Sequence, residues 1–547
     1  MRRQISLLLF LIAACIETAH GQYLYCTNTD STLKITGYNG PGGNMAIPSS
    51  INGLTVTEIG SYALQDQVTI TNISVPDSIT NLGEGVFYQC GGLRSAVLGK
   101  GITSVPYDTF YACGNLTNAS LADGVTNIDI NAFAYCAALG DVIVPSGVIN
   151  IGDGAFYLCS SLSNVVIPAG ITRIGQDTFY ACASMTNILI PDGVTNISGE
   201  AFAFCSGLTH IVIPDSVVTI EANAFGCCAG LTNILLGAAV ETIGGTAFSS
   251  CSGLTHIEVP ATTTNISVDA FDSCFNLVAI NMAAQNPVYS SAGGVLYNKS
   301  KTALLIMPNG VTGSCEIPEG VTVIGDAAFY DCSGLTNISL PHGLLTIGDT
   351  AFGFCSNLRQ INVPDTVTTV GDDAFDSCSS LGRVVLPDSV TDLGDEAFYY
   401  CTSLTNVILG KQIKNIGPEA FWHCPSLVSI FLTGDAPTVG PYTFAYSLNA
   451  TVYYLPGTVG WTSAFSHLGT ALWNPHVETQ DEAFGVRNDK FGFNITGTSN
   501  IPINLEVSAD MKKRASVQNI KLTNGLYYFN DPLWKDFPAC YYRVNFP

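Results

Sequence analysis

Positive charge is what this sequence has least of. Only 20 Lys and Arg stand against 43 Asp and Glu, and between Gly101 and Asn298 the single base is Arg173. A chain of net charge −23 repels phosphate backbones and anionic headgroups, which excludes nucleic acid and charged membrane surfaces as expected partners. Long apolar runs are missing as well: beyond the N-terminus none reaches the roughly 18 uninterrupted residues of a transmembrane helix, so no transmembrane segment is expected. The motifs of a metal or nucleophile centre do not occur, whether H-E-x-x-H, a C-x-x-C pair or G-x-S-x-G, and the seven His residues are scattered. No catalytic, metal-binding or cofactor-binding residue is therefore assigned, and an enzyme ranks third among the function classes.

What the sequence does have is repetition. Stepping by 23 residues from Cys159 lands on Cys90, Cys113, Cys136, Cys182, Cys205, Cys228, Cys251 and Cys274. After one break the phase resumes at Cys332, Cys355, Cys378, Cys401 and Cys424. Phe holds another fixed site from Phe87 to Phe444, with Leu64 in the first copy, giving sixteen regular copies. A fixed period of this size means a stack of similar turns rather than a set of globular domains. In the copy at 151–173, IGDGAFYLCSSLSNVVIPAGITR, the residues Leu162, Val165 and Ile167 are spaced as L-x-x-L-x-L, a short strand with alternate side chains in the core. Pro168 ends it, Ile171 and Ile174 mark a second extended segment, and Gly175 permits a turn into a short helical corner at Ala-Phe. Acids recur just before that pair at Asp153, Asp177, Glu200, Asp326, Asp349, Asp372 and Asp395, where an acceptor would cap the helical turn.

This repeat resembles the BspA-like class of leucine-rich repeat proteins, whose consensus carries A-F, C, L-x-x-I-x-I-P and V-x-x-I-G at these spacings. The resemblance covers residues 54–446. It implies a repeat solenoid, a right-handed curved rod of short parallel strands, in an exported or surface protein, mostly bacterial, some members of which act in adhesion. It brings no catalytic residues with it.

The expected layout follows. Residues 1–21 read as an export signal: Arg2 and Arg3, an apolar run through Ile16, and Ala19-His20-Gly21 before cleavage at Gln22. Ile12-Ala13-Ala14-Cys15 loosely resembles a bacterial lipobox that would place a lipid anchor on Cys15, but the later cleavage site is preferred. An N-terminal cap at 22–53 leads into the solenoid at 54–446, with a hairpin-containing insert near 283–317 where Cys274 to Cys332 spans 58 residues. A C-terminal cap and linker at 447–476 precede a small all-β module at 477–547. The cysteine column reads as buried thiols, because side chains at one site of stacked turns run parallel rather than converging. Cys26, Cys315 and Cys540 lie off the column, and a pair among them is left open.

One strand position, between two buried ones, should face outward on the concave side. Down the array it reads Val97, Ser120, Ile143, Val166, Leu189, Val212, Leu235, Glu258. Two residues earlier the column is polar, including Asn164, Asn187, His210 and Asn233. Asn164, Val166, Asn187, Leu189, His210, Val212, Asn233 and Leu235 are the candidate partner-binding residues, for a protein or glycan at a surface. The competing reading is a structural envelope component in which β-propensity alone placed Val, Ile and Leu there. Exposure of the apolar column favours binding; burial beneath the hairpin or the C-terminal module favours the structural role.

Overall fold

Alternation of side chains sets the strands. In His210–Val212 the middle residue Ile211 is fully buried while Val212 is exposed. The next strand, Asn233–Leu235, repeats this one step on, with His210↔Asn233, Ile211↔Ile234 and Val212↔Leu235 paired in parallel. A second ladder runs through two-residue strands such as Asn196–Ile197, Thr219–Ile220 and Thr242–Ile243, each burying its Ile. The computed structural model describes residues 18–20, 22–487, 489–536 and 539–547. It divides into two compact units, Met1–Ser291 and Ala292–Pro547.

The helical corner expected at Ala-Phe is built of tight turns instead. Among the described residues the sole helical segment is the 3-10 turn Trp534–Asp536. Alternate backbone donors of the corner go to the neighbouring turn of the solenoid, Phe156 N–H to Thr178 O (2.9 Å) and Leu158 N–H to Tyr180 O (2.8 Å), while Tyr157 N–H closes a local turn on Gly154 O (3.0 Å). A helix would need those donors for itself. Left-handed residues such as Leu158 (φ 57°) and Asp177 (φ 55°) turn the chain so that this pairing is reached. The repeated acids accordingly do not cap helices. Asp153 Oδ1 accepts from Gln176 N–H one turn on (2.9 Å), and Asp326, Asp349 and Asp372 accept in the same way from the N–H groups of Asp349, Asp372 and Asp395 (2.8 to 3.0 Å).

Gly175 has another role than the one its turn suggested: its φ is not left-handed, but a Cβ there would lie on Asp153 Oδ1 and 3.0 Å from Thr178 Oγ1. The glycine keeps open the place where consecutive turns meet.

In the first unit the strand Tyr23–Thr27 runs antiparallel to Leu33–Tyr38, which lies parallel to Leu54–Ile59 and so starts the second ladder. Thr18–His20 pairs onto Tyr23–Thr27. The rest of the expected export signal, with Cys15, lies outside the described residues. The first ladder then runs through Ser95–Val97, Asn118–Ser120, Asp141–Ile143 and Asn164–Val165. It is interrupted there, and pairing resumes at the bridge Leu189↔Val212.

In the second unit Val295–Asn298 and Ala303–Ile306 form an antiparallel hairpin. Ala303–Ile306 also lies parallel to Val323–Ile324, so the hairpin's second strand is itself a rung of the ladder. Its Val295 and Tyr297 close the end of a core that continues to Leu468. Past the last rungs, two antiparallel sheets make a small all-β module. One joins His476–Glu478, Gly485–Arg487 and Leu526–Asp531 through Lys490–Thr496; the other joins Ala515–Lys521 and Tyr541–Asn545 through Pro502–Ser508.

The core of each unit is a set of ladders of like residues. Phe87 to Phe271 stack at centroid distances of 5.1 to 5.7 Å, and Phe329 to Phe444 at 4.9 to 5.5 Å. The ring planes are nearly parallel and offset, the arrangement aromatic quadrupoles favour. The fourteen column cysteines are buried reduced thiols. Cys159 Sγ donates to Phe133 O (3.1 Å), and its equivalents from Cys90 to Cys424 bond the carbonyl 25 or 26 residues earlier. Ser447 continues the column, donating to Phe421 O (2.7 Å). Cys315 and Cys540 are reduced and Cys26 is in a disulfide, so these three do not pair among themselves.

Candidate partner surface

Strand alternation places the two predicted columns on one face. Asn164, Asn187 and Asn233 are exposed and His210 is half-exposed. Beside them Ile143 is 84% exposed, Val166 72%, Leu189 75%, Val212 43% and Leu235 50%. Five consecutive turns thus carry an uncovered branched aliphatic side chain. The run is bounded on one side by exposed Ser120 and on the other by exposed Glu258, whose carboxylate accepts from Asn281 Nδ2 (2.7 Å). At a strand spacing of ~4.8 Å it is about 19 Å long. Its most exposed members, Ile143, Val166 and Leu189, flank the interruption of the ladder.

The polar column is self-connected in part. Asn164 Nδ2 donates to Asp141 Oδ1 (3.0 Å), and Thr209 and Thr232 donate to the carbonyls of Thr186 and Thr209 (3.2 and 3.0 Å). These bonds hold amide and hydroxyl groups in a fixed row beside the apolar stripe. The face can make apolar contact and side-chain hydrogen bonds; further along the same column Thr255 Oγ1 and His256 Nδ1 lie 2.8 Å apart. Among the described residues no group of three or more His, Cys, Asp or Glu is placed to hold a metal ion.

The same column in the second unit has a different fate. Val385 is exposed, but Ile408 is 8% and Phe431 0% exposed. With Tyr453 they form one cluster with Phe493, Ile503, Leu505 and Phe529 of the C-terminal module. Phe431 lies 4.7 Å from Phe546 and 6.3 Å from Trp473, ring centre to ring centre, and Trp473 Nε1–H donates to Pro502 O (2.9 Å). Repeat position alone did not reveal this cover, because the equivalent residues keep the same hydrophobic character in both units.

A second feature went unread in the sequence. Aromatic residues recur one or two places after the core Phe, at Tyr88, Tyr111, Tyr135, Tyr157, Tyr180 and Phe204, and they line up on the outside of the corner. Registering that position along the copies would have found them.

Fold and surface together define a leucine-rich solenoid of 23-residue turns that displays an apolar and amide-bearing strand face. The match to the family model "BspA type Leucine rich repeat region", in six copies over residues 57–186, 172–292 and 322–451, shows that the chain belongs to that family. Among solved structures it is similar to a leucine-rich repeat protein of Bacteroides ovatus, at 22% identity and TM-score 0.49 over 80% of this chain and 99% of the other. It is also similar to a leucine rich cell surface protein of Faecalibacterium prausnitzii, at 27% identity and TM-score 0.38 over 76% and 94% of the two chains. A third is the pneumococcal vaccine antigen PcpA, at 18% identity and TM-score 0.43 over 84% and 98%. No curated protein matches the chain. Among the described residues no helix is long and apolar enough to cross a membrane.

Proposed function

We propose that this chain is an exported, non-enzymatic binding protein of a bacterial surface, which offers the strand face of its first unit to an extracellular protein or glycan. The carrying observation is the five-turn run of exposed Ile143, Val166, Leu189, Val212 and Leu235 beside Asn164, Asn187, His210 and Asn233. A contiguous apolar patch rimmed by polar groups is costly to leave in water and marks a surface that is covered in use. The test is binding of the full chain to panels of immobilised extracellular proteins and glycans, repeated with Val166→Asp, Leu189→Asp and Val212→Asp combined. A specific ligand should lose about tenfold or more in affinity, since each Asp puts a charge where an apolar contact is buried. Unchanged retention, with the melting curve intact, rejects the face as the site.

A structural role in the envelope is the second reading, and the covered column at Ile408 and Phe431 favours it for the second unit. There the same kind of stripe serves to seat the chain's own module.

A further inference from the structure

On the outer corner of the first unit, seven aromatic rings run turn by turn: Tyr62, Tyr88, Tyr111, Tyr135, Tyr157, Tyr180 and Phe204, at centroid distances of 4.7 to 5.9 Å. Two pairs are stacked, Tyr88 on Tyr111 (6°) and Tyr157 on Tyr180 (15°). Tyr62, Tyr135 and Phe204 are tilted by 52 to 73° against their neighbours, and each is about two-fifths exposed. A tilted ring turns part of its negative face out of the stack, where a cation can reach it.

The rings stand beside carboxylates. A surface cavity of about 500 Å³ is lined by Tyr111, Tyr135 and Tyr157 together with Asp153 and Asp177. It shares Ile130 and Asp153 with a second cavity of about 390 Å³, lined also by Glu84, Tyr107 and Arg173. Burial, with Glu200 and Asp153 close by, raises the Asp177 carboxyl above the ordinary carboxylate value. At the N-terminal end of the row Asp108 is only 6% exposed; burial raises its carboxyl above the ordinary carboxylate value, while Asn131 and Tyr107 beside it act in the opposite direction. It lies within electrostatic reach of Tyr62, Tyr111 and Glu84. The one base of this stretch already illustrates the chemistry: Arg173 Nη2 lies 3.2 Å from Asp153 Oδ1, and its Nε donates to Ser198 Oγ (2.8 Å).

We propose that this corner groove is a second binding surface, separate from the strand face, and that it takes an extended Lys- or Arg-rich polypeptide segment. Its guanidinium or ammonium groups pair with Asp153, Asp177 and Glu200 and pack on the tilted ring of Tyr135. Cation over aromatic and cation beside carboxylate reinforce each other, because both draw on the same positive charge in a partly desolvated groove. Uncharged sugars could stack on the rings and donate hydroxyls to the carboxylates, but would leave the negative charge unbalanced.

The test uses the full chain and a fluorescent oligo-arginine peptide, with oligo-glutamate and neutral oligosaccharides as comparisons. Oligo-arginine should bind, and the affinity should fall as salt rises. Asp177→Asn with Glu200→Gln should weaken binding about tenfold, while Asp192→Asn with Asp215→Asn, an equal charge change outside the groove, should leave it within about twofold. Tyr135→Ala, which changes no charge, should weaken it by about two- to fivefold. Tyr157→Leu keeps an apolar side chain but removes the ring, and should act in the same direction if the ring face matters. Equal losses from the two acid pairs would reduce the effect to diffuse charge attraction and overturn the proposal. So would tyrosine variants that bind as tightly as the parent, or binding of neutral oligosaccharide that depends on Tyr135 without binding of oligo-arginine. The Val166→Asp, Leu189→Asp, Val212→Asp variant should bind oligo-arginine normally, which keeps the outcome independent of the strand face.

Discussion

Removing one ring from the middle of a continuous stack leaves a gap flanked by two others. Phe202 is fully buried between Phe179 and Phe225, at 5.4 and 5.2 Å. Phe202→Ala should cost about 3–5 kcal/mol in urea unfolding. Gly175→Ala should cost about 0.5–1.5 kcal/mol although the site is a turn, since the methyl group would displace Asp153 Oδ1 from its bond with Gln176 N–H. The column thiols make a pH prediction. Burial pushes Cys159 and Cys205 up to about 12 from an ordinary value of 9.0. The neutral thiol is thus favoured in the folded chain, so its stabilising contribution is complete below about pH 9 and is lost as pH climbs toward 12. The melting temperature should decline over that window, and Cys205→Ala should lessen the slope. Alkylation of the native chain near neutral pH should label half-exposed Cys227, Cys315 and Cys540 and spare the fourteen column thiols, as mass spectrometry would read. The thiol ladder was legible because parallel side chains cannot bridge. The glycine's role was not, because it depends on Asp153, 22 residues away, which no local pattern shows.

At the level of elements, strand position and period were written in the sequence, whereas the corner was misread. Ala-Phe after an acid looks like a capped helical turn when taken alone. In the stack, the competing partner is the next copy, which takes every second N–H of the corner and so prevents a continuous helix. The hairpin at Val295–Ile306 was recognisable from its turn residues, but its second strand's place in the ladder was not. The seating of the C-terminal module is the element-level feature most open to test. Phe431→Asp would bury a charge against Phe546, Trp473 and Tyr453. Residues 477–547 should then become susceptible to limited proteolysis while the repeat array stays resistant; equal resistance in both variants would contradict the packing described.

For the molecule as a whole, composition governs behaviour between partners. With a sequence pI near 4.4 and a net charge of −23, the chain should remain soluble at neutral pH and show its solubility minimum near pH 4.4. Fluorescence anisotropy with duplex DNA at physiological salt should detect no binding. The candidate face was legible in the sequence because free positions stand out against fixed ones: Asn164 and Val166 vary from copy to copy where Cys159 and Phe156 hardly do. Which stretch of that face is covered was not legible, since cover comes from a module of unrelated sequence.

The thiol column also bears on the order of assembly. Each cysteine donates backwards, to a carbonyl of the turn already made, as do the threonine hydroxyls and the N–H groups held by Asp153 and its equivalents. A finished turn therefore ends in waiting acceptors along the thiol and threonine columns and in waiting N–H donors at the corner, and the next needs only its immediate predecessor. Growth from the capped N-terminal end can proceed one turn at a time as the chain emerges, with no distant contact required before the nearest ones have formed.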